Sequence, residues 1–132
     1  MNWLSILSVF VGSGLGGVCR YLLSRVVQTA LAPSSVFPWG TLVVNVLGCF
    51  LIGLFYGISD RYSMPDFFSP QIRLLLTVGF CGGFTTFSTF INENYLLFQS
   101  SNMLSVLGYM AFSIVIGFIF LYTGYAVSHV FD

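Results

Sequence analysis

The chain has 132 residues, 57% hydrophobic and 6% charged, with no net formal charge and a mean hydropathy of +0.94. A domain facing water carries roughly 25% charged residues. Arg20, Arg25, Arg61 and Arg73, set against Asp60, Asp66, Glu93 and Asp132, cannot cover a globule, so the outer surface is expected to face lipid. Without lysine or a basic patch, nucleic acid is excluded as a partner.

A first apolar stretch runs from about 3 to 30, longer than the roughly 20 helical residues that cross a hydrocarbon core. The Ala30-Leu31-Ala32 triplet before Pro33 has the look of a cleavage site, but no basic region precedes the stretch, so it is read as a retained helix. Pro33 and Pro38 bracket a short link to a second span at 39–59, which ends in the polar turn Asp60 to Asp66. A third span covers 70–98; Ser100, Ser101 and Asn102 separate it from a fourth at 103–129. All links are short, which predicts one all-α transmembrane domain over 1–132, an up-down bundle of four helices. His129 and Asp132 read as interfacial residues.

Arg61 and Arg73 fall on one side of such a bundle, and Arg25, with Arg20 if its stem snorkels, on the other. Arginine and lysine asymmetry normally sets topology. Here either the chain inserts both ways, which permits an antiparallel homodimer, or a weak bias is overridden by other signals. Gly12 and Gly16, Gly53 and Gly57, and Gly79 and Gly83 are each four apart, a spacing that lets helix backbones approach closely in lipid. Cys19, Cys49 and Cys81 are odd in number and lie in apolar runs. They fit neither disulfides nor a metal site and read as small packing residues.

Residues 79–90, Gly-Phe-Cys-Gly-Gly-Phe-Thr-Thr-Phe-Ser-Thr-Phe, are the most informative stretch. The adjacent Gly82 and Gly83, followed by β-branched Thr85, Thr86 and Thr89, weaken a helix near the middle of its span. Interrupted helices at membrane depth are tolerated where they line a cavity, and they offer carbonyls to cations and N–H groups to anions. Tight packing is the competing explanation of the glycine pair. Phe87 and Phe90, three apart amid Ser88 and Thr89, are either lipid-facing bulk or rings whose positive edges hold a small anion weakly enough to release it. Thr41 and Asn45 lie one turn apart in the second span, and Tyr109 and Ser113 repeat that spacing in the fourth. Asn45 is equally readable as glue between helices. Arg20 and Glu93 are costly in lipid, hence functional candidates unless they snorkel at helix ends.

Three ordered motifs now stand out: Gly-Gly-Val-Cys-Arg-Tyr at 16–21, Gly-Thr-Leu-Val-Val-Asn at 40–45, and Gly-Gly-Phe-Thr-Thr-Phe-Ser-Thr-Phe at 82–90. With them the chain resembles, over essentially its whole length, the small dual-topology fluoride channels called Fluc, or CrcB. The resemblance implies an antiparallel homodimer in the cell inner membrane that passes fluoride passively along two interfacial pathways and so lowers its toxicity. It implies Phe87 and Phe90 as pore rings, with Asn45, Thr41, Ser88, Thr89, Tyr109 and Ser113 as polar pathway positions. Arg20 and Glu93 fall on family-typical positions with a possible vestibule role. Backbone carbonyls of Gly82 and Thr85 from both copies would hold one structural sodium ion. One departure is Gly117, where the family's polar track commonly continues with a hydroxyl. A small multidrug transporter is the alternative, although its first span would need an acid that this chain lacks; a non-transporting assembly subunit is another. An enzyme is not expected, since no nucleophile–base pair or metal cluster occurs in the sequence.

Overall fold

The computed structural model describes residues 2–61, 69–100 and 102–131. Helix α1 spans Trp3–Leu31, with the Asn2 side chain accepting the Leu4 N–H at 3.3 Å as its N-cap. Helix α2 spans Trp39–Arg61. The third span opens with α3, Pro70–Leu74, where Ser69 caps and Pro70 takes a first-turn position that lacks an N–H partner in any case. It continues as a π-helical segment Leu75–Cys81, a short α4 Gly82–Phe84, and α5 Ser88–Ser100. Helix α6, Met103–Val127, is capped by Asn102, and a 3₁₀ turn Ser128–Phe131 follows. Four helical stretches are long and apolar enough to span a membrane: Trp3–Leu31, Trp39–Asp60, Pro70–Ser100 and Met103–Val130. The expected turn from Asp60 to Asp66 lies, from residue 62 onward, outside the described residues, as does Asp132.

The chain is inside-out relative to a soluble bundle. Phe10, Phe118 and Trp3 are 76%, 77% and 84% exposed, a surface stable only against lipid or another apolar face. The interior is small, centred on Leu42, Phe90, Leu97, Val106 and Tyr109.

The glycine pairs are used within the chain. A Cβ on Gly12 would overlap the Leu75 carbonyl oxygen, one on Gly16 that of Phe80, and one on Gly83 that of Ser13. Helix α1 and the third span therefore meet backbone to backbone, which only glycine permits. Gly53 and Gly124 do the same for α2 and α6, each facing a carbonyl of the other helix. The link between α1 and α2 is tied by Gln28, a residue the sequence reading passed over. Its amide nitrogen donates to the carbonyls of Ala32, Ser35 and Phe37 at 3.1–3.3 Å, and its oxygen accepts the Gly40 N–H at 3.1 Å. At the other end, Arg73 faces Asp60 at 3.6 Å and lies over the Tyr56 ring.

Within the third span the backbone departs from α-geometry twice. The Thr77 hydroxyl donates to Arg73 O at 2.8 Å, occupying an acceptor of the ladder where the π-helical segment begins. The second departure comes after Phe84. Gly82 itself is helical, at φ −64° and ψ −38°, and Thr85 is the residue that turns extended, at φ −85° and ψ 160°. No described residue outside glycine has positive φ, and no described glycine has it either. The non-helical residues 85–87 thus begin two positions beyond the glycine pair. Extended backbone suits a β-branched threonine, whereas Gly83 serves close approach to α1.

Candidate functional site

Two cavities flank the stretch from Thr85 to Glu93. The larger, about 700 Å³, is a groove open along one side of the bundle. Asn45 and Cys49 of α2, Gly82, Thr85 and Thr86 of the third span, the rings of Phe87 and Phe90, and Ser113 of α6 are among its walls. The smaller, about 310 Å³, is lined by Ser24, Arg25, Gln28, Thr41 and Glu93 among others.

Asn45 clamps the non-helical segment through one donor and one acceptor. Its Oδ1 accepts the Thr86 N–H at 2.9 Å, and its Nδ2 donates to Thr86 O at 3.1 Å. One turn earlier on α2, Thr41 donates through Oγ1 to Glu93 Oε1 at 2.6 Å. The other carboxylate oxygen accepts the Tyr109 hydroxyl at 3.2 Å. Glu93 therefore joins α2, α5 and α6 through two hydroxyl donors, which offset the cost of holding a carboxyl between apolar helices. Tyr109, 1% exposed, also packs its ring against Phe90 and Phe37, with centroids 5.0 and 5.1 Å away.

The two phenylalanines are not equivalent. Phe90 is 8% exposed, with one side on the core and its remaining surface on the groove; Phe87 is 74% exposed on the open side, its centroid 6.2 Å from that of Phe90. Ser113, one turn from Tyr109, has a buried hydroxyl with no hydrogen-bond partner among the described residues. The structure thus brings Asn45, Phe87, Phe90 and Ser113 to the groove, and Thr41 with Glu93 to the smaller cavity, with Tyr109 buried between them.

Three expected positions lie elsewhere. Ser88 and Thr89 are exposed and line neither cavity; Thr89 instead donates its N–H to Thr86 Oγ1 at 3.3 Å. Arg20 is half-buried and also lines neither, and the guanidinium at the smaller cavity belongs to Arg25, which donates to the Tyr21 hydroxyl at 3.1 Å. Arg20 and Arg25 are separated by more than a turn of α1, and composition alone does not say which one faces α2. Gly117 is buried, and a Cβ there would meet Cys49 Sγ at 3.3 Å, so the position is filled by a neighbouring thiol. Among the described residues no cluster of histidine, cysteine or carboxylate side chains suits a metal.

A family model described as "CrcB-like protein, Camphor Resistance (CrcB)" matches residues 7–125. Among curated relatives, the "Fluoride-specific ion channel FluC" of Phocaeicola vulgatus is 46% identical over 113 residues, 86% of this chain and 88% of that protein. The protein of the same name from Leptospira interrogans serovar copenhageni is 45% identical over 120 residues, 91% of each chain. That of Flavobacterium psychrophilum is 38% identical over 124 residues, 94% of this chain and 96% of its own.

Proposed function

The chain belongs to the CrcB-like family, and we infer from that membership and from its groove that it is a fluoride channel. It is a multi-pass membrane protein and not an enzyme. The observation that carries the pathway is the groove itself: two aromatic rings and a buried hydroxyl at Ser113, unpartnered among the described residues, converge where the third span loses its helix. Fluoride is small and tightly hydrated, so a narrow path must replace its water with donors. Ser113 and the second N–H of Asn45 supply donors, and the positive edges of Phe87 and Phe90 supply weak attraction without trapping. Tyr109, Thr41 and Glu93 connect this path to the smaller cavity, where Arg25 offers the positive charge that draws an anion in.

An open groove in one chain requires a cover. We assign that cover to a second copy, inserted antiparallel in the cell inner membrane, with residues 85–87 of both copies near the middle of the bilayer. The fit to a central cation rests on the donor set. Gly82 leaves open space where a side chain would stand, and carbonyls of Gly82 and Thr85 from two copies form an all-oxygen set suited to sodium, a hard cation. Bound there, the ion would satisfy backbone oxygens that the interrupted helices leave unpaired, as structural cement and not as cargo. Ser88 and Thr89 enter such a path only through surfaces completed by the second copy.

Liposomes loaded with fluoride and containing the purified protein are expected to release it, read by a fluoride electrode, far faster than empty liposomes. Release no faster than from empty liposomes refutes the function, and chloride passing as readily as fluoride refutes the selectivity.

A further inference from the structure

An α-helix running through residue 86 would have the Thr86 N–H on the Gly82 carbonyl, four residues back. In this chain that N–H is donated to Asn45 Oδ1 at 2.9 Å, and the Thr86 carbonyl accepts Asn45 Nδ2 at 3.1 Å. A side-chain primary amide has the same donor and acceptor as a peptide group, so it replaces the helix's own bond without reducing the number of bonds made. The exchange costs little and takes from Gly82 O the donor that a helix would have given it.

The neighbouring bonds fix the same geometry from both sides. Upstream, Thr85 N and Thr85 Oγ1 both donate to Cys81 O, at 3.0 and 2.9 Å, closing the last turn firmly before the chain extends. Downstream, Thr86 Oγ1 accepts the Thr89 N–H and Phe87 O accepts the Ile91 N–H at 2.9 Å, so α5 starts from the clamped residue. We propose that Asn45 is a positioning residue that holds the third span open: it diverts the Thr86 N–H, leaves the Gly82 carbonyl facing the groove for a cation, and sets the start of the helix that carries Phe90. This rests on the sodium reading above for the cation alone; the clamp is a separate claim about Asn45. Asn45 in this account acts on the anion chiefly through the backbone it arranges.

The chain contains two Gly-Gly steps, Gly16-Gly17 and Gly82-Gly83. Labelling glycine with carbonyl ¹³C and amide ¹⁵N therefore gives two backbone signals in the reconstituted protein, with Gly16 in mid-helix as the internal reference. In the native chain the Gly82 carbonyl signal is expected away from the helical, hydrogen-bonded position of Gly16, and it should move when sodium is replaced by N-methylglucamine. In Asn45→Ala it should shift to the helical position and lose its response to sodium, with fluoride efflux lost. In Phe90→Ile efflux should fall while the Gly82 signal and its sodium response stay native. An unchanged Gly82 signal in Asn45→Ala overturns the proposal. If the native Gly82 signal ignores sodium, the cation reading fails, and the comparison of native chain with Asn45→Ala still decides the clamp. Should Asn45→Ala not assemble, Asn45→Asp keeps an oxygen to accept the Thr86 N–H. Its Gly82 signal should remain non-helical, and a helical position there overturns the clamp equally.

Discussion

Removing the hydroxyl donors to Glu93 one at a time tests whether that carboxyl is held by protein or by water. Thr41→Val keeps the shape of a side chain 7% exposed and deletes a 2.6 Å bond; Tyr109→Phe keeps the ring packing and deletes a 3.2 Å bond. Hydrogen bonds to charged groups contribute about 1.5–3 kcal/mol, and the shorter is the stronger. Thr41→Val is therefore expected to cost about 2–3 kcal/mol and Tyr109→Phe about 1.5–2 kcal/mol. Both donors serve one carboxyl, so the double variant strands it and should exceed the sum of the singles by about 0.5–1 kcal/mol. Unfolding in mixed micelles can be followed by tryptophan fluorescence, because Trp39 lies against Phe37, which in turn meets Tyr109. Additive effects below about 0.5 kcal/mol each would refute the reasoning, since they would mean that the cavity beside Glu93 solvates it as well as the hydroxyls do.

Ser113→Ala removes a buried hydroxyl with no partner among the described residues, so it should leave stability unchanged or raise it by up to about 1 kcal/mol while lowering fluoride efflux; native efflux in this variant removes Ser113 from the path. Phe87→Ile and Phe90→Ile should both lower efflux sharply. Only Phe90→Ile, at a core position, should also reduce thermal stability, by about 1–2 kcal/mol, and native efflux in both removes the rings from the path. Gly83→Ala forces α1 and the third span apart and should cost about 3 kcal/mol or lose the fold, whereas Gly82→Ala meets no atom of the described residues. A cross-linking assay on Gly82→Ala should thus show intact chains with fewer dimers; a native dimer fraction argues that no second copy packs there. Gln28→Leu should loosen the α1–α2 link, costing about 1–3 kcal/mol by unfolding in the same micelles, since four backbone groups lose a partner; native stability assigns those groups to water.

Hydropathy and spacing by themselves determined the four spans and the placement of the links, because these depend on local periodicity; the caps at Ser69 and Asn102 came only with the structure. The stretch from Gly82 to Phe90 was likewise legible as unusual from its composition. Where the helix stops was not. The glycine pair marked the region, but the backbone turns at Thr85 because Asn45, 41 positions earlier, competes for Thr86. That competition is invisible until α2 is packed beside the third span. The same holds for Glu93, whose donors lie on two other helices, and for Arg25 rather than Arg20 at the smaller cavity. In a chain with so few polar groups, each one's meaning depends on the partner that finds it. Local sequence sets which groups are available, and only the approach of helix to helix, made close by Gly12, Gly16 and Gly83, decides which of them meet.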